Sequence, residues 1–208
     1  MSLARLLQLA SPTLPVGAYS YSGGLEAAAE AGAVTDAASA AGWIGDVLEF
    51  SVARLDAPIL LRMLDDPAGW NAIYLAARET AELRAETVQM GYSLNRLLPD
   101  LGVAPLEIDE PSFAAVFAQA ARTWKIEPRQ ALVAYVWAWA ENLVMAAVKV
   151  VPLGQTDGQK MLLALGGRIE GLVEHAMQMQ EDEIGSFAPG LAILSSRHET
   201  QYSRLFRS

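Results

Sequence analysis

Residues 131–151 read "ALVAYVWAWAENLVMAAVKVV", and how this stretch is taken decides the fold. It is about long enough to cross a bilayer as one helix. Glu141 and Asn142, however, fall in its middle. A charge at the centre of a spanning helix costs about 3 kcal/mol on insertion scales. The stretch is therefore read as the buried helix of a soluble domain. Pro128, three residues ahead of it, suits a first helical turn, where the missing N–H is not needed.

Working outward, the same punctuation recurs. Asp36 after Thr35, Asp66 before Pro67, Thr80, and Pro111 each stand where a helix begins, as short polar caps or first-turn prolines. Asp56 and Pro58 are expected to restart a helix that runs to about Leu64. In "TAELRAETVQMGYSLNRLL" from Thr80, Leu83, Met90 and Leu94 share one face, as the helical period requires. Glu82 precedes Glu86 by four residues there, so ion-pair support within that helix is thin. A long helix is expected from about Thr156 to Gln180, capped by Thr156 or Asp157 and loosened by Gly166, Gly167 and Gly171. Few segments alternate with period two, and no Asn-Gly or Asp-Gly hairpin joins apolar runs. The expected fold is all-α, a single-domain helical bundle of about nine or ten helices over residues 1–195 with a C-terminal tail over 196–208.

The chain has 208 residues and a formal charge of −9, the wrong sign for a nucleic-acid backbone binder. It has no cysteine, which excludes disulfides, a thiolate nucleophile and cysteine-held metal. His175 and His198 are its two histidines, too few for a multi-histidine metal site in one chain. "MSLARLLQLASPTL" carries an apolar run that ends at Pro12; it is too short for a secretory leader, and a cytoplasmic location is expected.

Few catalytic constellations survive. In "GQTDGQK" at 154–160 three residues separate the glycines, whereas a phosphate-binding loop needs four and then Lys-Ser/Thr. "SSRHET" allows a hydrolase that uses His198 with Ser196 or a carboxylate. His175, His198 and carboxylates allow a direct nickel carrier, although nickel favours imidazole and softer donors. Polar detail concentrates elsewhere. "SPTLPVGAYSYSGGLE" at 11–26 packs prolines, glycines and tyrosines into a segment that cannot be a regular helix. Lys149 ends the apolar helix, and Gln155 and Gln159 add amides in the loop that follows. The tail mixes Tyr202, Leu205 and Phe206 with Arg197, Arg204 and Arg207, a composition that interfaces enrich. That tail is expected to order on a partner.

Taken together, "SPTLPVGAYSYSGGLE" at 11–26, "ELRAETVQMGYSL" at 82–94, "AYVWAWAENLVMAAVKVVPLGQTDGQ" at 134–159 and "SSRHETQYSRLFRS" at 195–208 resemble the UreF family of urease accessory proteins. The likeness spans nearly the whole chain in the family's order. Tyr19 stands where the family often has phenylalanine, and Gly23 where it often has a polar residue. The resemblance implies an all-α homodimer without catalytic, metal or cofactor residues of its own. It implies a chaperone-like adaptor that binds UreD (UreH in some organisms), recruits the GTPase UreG, and serves nickel insertion into apo-urease. Carried onto this sequence, the partner-binding residues are Tyr19, Ser20, Tyr21 and Glu26 in the opening segment, and Lys149, Gln155, Thr156 and Gln159 around the loop. In the tail they are Arg197, His198, Glu199, Gln201, Tyr202, Arg204, Leu205 and Phe206.

Overall fold

The apolar stretch at 131–151 lies at the centre of the molecule. The structure is a computed structural model and describes residues 2–208. Ten α-helical segments are found among the described residues: α1 (Ser2–Leu9), α2 (Leu25–Glu30), α3 (Ala37–Val47), α4 (Ala57–Met63), α5 (Pro67–Ala76), α6 (Ala81–Leu97), α7 (Phe113–Thr123), α8 (Pro128–Val150), α9 (Gln155–Gln178) and α10 (Pro189–His198). No strand occurs among them. The all-α expectation holds. α8 is long and apolar enough to cross a membrane by length and composition. Here it is the core helix, with Leu132, Tyr135, Val136, Ala140, Leu143 and Ala147 buried against α1, α2, α3, α4 and α9.

α9 folds back along α8 after the short turn at 151–154 and makes the most extensive helix pair. Gly166 does not loosen α9 but permits that approach: a Cβ there would sit 3.2 Å from the Trp137 ring. Phe113 and Phe117 of α7 meet Tyr135 of α8 with ring centroids 5.8 and 5.4 Å from it, the spacing of offset and edge-on aromatic pairs. α6 and α7 touch through Gly91, where any Cβ would lie 1.9 Å from the Pro111 carbonyl oxygen. The irregular connection into α7 is pinned by asparagines. Asn95 bonds both ways with Leu106, and Asn71 joins the Glu110 carbonyl and the Ser112 N–H.

Two sequence expectations are corrected. Asp56 and Pro58 do not restart a helix: α3 runs on through a π-helical segment, Leu48–Asp56, directly into α4. Joined so, the rods number nine among the described residues. Pro58 has no N–H to offer the turn before it. The Arg54 carbonyl is instead satisfied by the Gly185 N–H at 3.1 Å, and the Phe50 carbonyl by the Phe187 N–H at 2.8 Å. The connection after α9 thus substitutes for the bonds that the widened turns leave open. Second, α9 is capped by Gly154 without a side chain, rather than by Thr156 or Asp157.

Other caps fall where the sequence put them. Asp36 accepts the Ser39 N–H at 2.8 Å while the Ser39 hydroxyl accepts the Asp36 N–H, a reciprocal capping box. Asp36→Ala removes the carboxylate half of this box and is expected to lower the midpoint of urea unfolding.

Candidate functional site

The opening segment is nailed down from below. Leu14, Val16 and Tyr21 are buried, and Gly17, at φ 80°, turns the chain into a single 3₁₀ turn at Ala18–Ser20. Gly23 and Gly24 take φ 56° and 77°, a region that side chains disfavour. They bring the start of α2 against Leu143 of α8 and Leu191 of α10. Asn142, the polar residue in the apolar helix, donates its amide to the Tyr21 carbonyl at 3.1 Å. Its place at mid-helix is therefore explained by the opening segment it holds.

The tail closes over this segment. α10 continues to His198, past the expected boundary at 195/196. His198 is fully buried, with Nδ1 2.7 Å from Glu82 and Nε2 3.2 Å from Glu26. The chain then returns along the body. Arg204 donates to Glu82 at 2.6 Å, and the N–H groups of Leu205 and Phe206 donate to Glu26 at 2.7 and 2.9 Å. The Arg207 N–H donates to the Ser20 carbonyl at 2.8 Å, and the Ser22 hydroxyl to the Ser208 main-chain oxygen at 2.5 Å. The Ser208 hydroxyl donates to Glu86 at 2.7 Å. The tail, expected to order on a partner, thus lies here against its own α2 and α6.

Lys149 joins the same surface from the end of α8. Its ammonium lies 5.5 Å from the Phe206 ring centroid and 5.9 Å from that of Tyr19, within cation–π range. The opening segment, Lys149 and the tail, separate in sequence, therefore form one patch. Tyr19, Tyr202 and Leu205 stand out from it exposed. A groove of about 340 Å³ beside Tyr19 is bordered by Pro15, Tyr21, Gln89, Ser93 and Arg207. Glu199 accepts the Ala81 N–H at 3.1 Å, and Gln201 donates to the Ser203 carbonyl. Arg197 is exposed. Gln155, Thr156 and Gln159 are exposed on the first turns of α9 rather than in a loop, and only Lys149 of that group reaches the patch.

The chemistry of the patch is adhesive. Both His198 nitrogens are already engaged by carboxylates of the same chain, Nδ1 by Glu82 and Nε2 by Glu26. Ser196 is exposed while His198 is buried, so the serine–histidine pair of the hydrolase reading is not formed. His175 is exposed on α9, in a different setting from His198. No group of three His, Asp or Glu placed to hold a metal occurs among the described residues.

Sequence reasoning missed Glu82, Glu86, Ser22, Ser208 and Asn142. A signal was present: two glutamates four apart on one helix face repel unless donors come to them. It also missed a buried network under the patch. Asp56 accepts from Tyr74 at 2.5 Å and from Arg78 at 3.1 Å. Burial pushes the Asp56 carboxyl up, opposed by the Arg78 guanidinium and the Tyr74 hydroxyl. Burial works against the Arg78 charge, but Tyr74, Asp56 and Glu79 outweigh it and hold the guanidinium protonated.

Comparison with known proteins bears on this patch and its scaffold. The sequence profile of the UreF family matches residues 34–166. The urease accessory protein UreF of Azoarcus sp. (strain BH72) is 56% identical, over 100% of this chain and 96% of its own length. Those of Methylobacillus flagellatus and Dechloromonas aromatica are 51% and 50% identical, each over 100% of this chain and 98% of their own lengths.

Proposed function

The chain belongs to the UreF family of urease accessory proteins, and from that premise we propose that it is a non-catalytic adaptor in urease maturation. In this reading it binds UreD/UreH, recruits the GTPase UreG, and supports nickel insertion into apo-urease as a cytoplasmic homodimer. One observation carries the reading: the opening segment, Lys149 and the tail converge on a patch whose ionisable groups are consumed in holding the tail. Such a patch presents an aromatic-rich surface on backbone that is already tied down, and ordering that need not be paid on binding favours association. Tyr19, Tyr202 and Leu205 are its exposed apolar contacts, and aromatic anchors of this kind dominate binding energies.

The test is capture of purified UreD and UreG by the tagged chain, with and without residues 199–208. This deletion leaves α10 whole. Loss of capture by at least about tenfold, equivalent to roughly 1.4 kcal/mol, is expected. Equal capture by both forms would remove the tail from the interface. Failure of the full chain to capture either protein would reject the adaptor role.

A further inference from the structure

Glu86 sits where the tail closes on α6. Its Oε2 accepts the Ser208 hydroxyl at 2.7 Å, and both residues are buried. Glu86 also borders a cavity of about 50 Å³ beneath the opening segment, walled by Leu14, Met90, Phe113 and Trp139. The groups that face it come from every neighbouring element: Tyr21 from the opening segment, Glu141 from α8, Asp56 from the π segment, and Glu82 one turn back on α6. Glu26 of α2 and His198 of α10 are committed to each other and to the tail. The cation acting on Glu86 is Arg78, and Arg78 is already engaged by Asp56 at 3.1 Å. An ionised Glu86 would thus lie buried, with its cation shared with Asp56 and with Glu82 already taken by Arg204 and His198.

We propose that docking of the tail over α6 takes up a proton at Glu86, so that pH sets the balance between docked and released tail. This equilibrium belongs to the chain alone and does not depend on which partner it serves. The direction follows from burial, which pushes the Glu86 carboxyl up to about 7 from its ordinary 4.5, against the pull of the Ser208 hydroxyl and Arg78. Releasing the tail admits water and returns the carboxyl toward its ordinary value. The docked state then binds a proton that the released state lacks. The proton-linked part of docking is at full strength below the released-state value and is lost as pH rises through about 7.

Hydrogen exchange on the full-length chain tests this. The amides of Leu205, Phe206 and Arg207 report docking directly, since Glu26 and Ser20 accept from them. After correction for the intrinsic pH dependence of exchange, their protection is expected to fall at least about tenfold between about pH 5 and about pH 8. Glu86→Gln keeps a partner for the Ser208 hydroxyl but has no proton to release, and is expected to flatten the profile. A wild-type profile with no fall, or a Gln profile falling as steeply, would overturn the proposal.

Discussion

Asp56→Ala is expected to lower the thermal midpoint by roughly 10 °C, the largest loss from any single side chain in the network under the patch. The reason is what it strands. Arg78 has 4% of its side chain exposed and lies 3.1 Å from Asp56, with Glu79 farther off at 3.8 Å. Removing the carboxylate leaves a guanidinium buried beside a second-best partner, and breaking such a pair costs about 3–5 kcal/mol. The Tyr74 hydroxyl, which donates to the same oxygen at 2.5 Å, loses its acceptor too. Replacing Arg78 by Met in the same molecule should recover part of the loss, because the stranded charge is gone. Scanning calorimetry on the two variants decides it; a midpoint within about 3 °C of wild type for Asp56→Ala would refute the account.

The second large effect is local. Glu26→Ala is expected to free the tail while leaving the bundle folded, with protection of the Leu205 and Phe206 amides reduced by about 100-fold or more. One carboxylate here accepts both amides, at 2.7 and 2.9 Å, and faces His198 Nε2 at 3.2 Å. Bonds to charged groups contribute about 1.5–3 kcal/mol each, so losing two amounts to about two to four times the 1.4 kcal/mol of a tenfold change. Glu26→Gln should fall between, since a single amide oxygen cannot serve both amides and the ring. If the adaptor reading holds, the same Ala variant should also bind its partners more weakly. Unchanged protection at Leu205 and Phe206 would show that the tail is held by Phe206 packing and Lys149 instead.

Much of the scaffold was legible because it rests on local rules. The caps at Asp36, Asp66 and Thr80 and the apolar faces of α6 and α8 follow from neighbours within a turn or two, and the structure keeps them. Pro58 was misread for the same reason. Within the sequence a proline ends a helix, whereas here the Gly185 N–H, far along the chain, satisfies the carbonyl that Pro58 leaves free. Thr156 and Asp157 look like caps in isolation, yet the turn from α8 starts α9 at Gln155, with Gly154 as its cap.

The sequence by itself determined that this chain is all-α, that residues 131–151 are core, and that the opening segment and tail are unusual; the family resemblance rested on those same stretches. Only the tertiary structure decided that the opening segment, Lys149 and the tail form one patch, and that Glu26, Glu82 and Glu86 hold it. Helical periodicity is a relation between residues three or four apart, so it is written along the chain. A carboxylate that meets amides 179 and 180 positions away is placed by the packing of α2, α6 and α10, and no local pattern encodes that meeting.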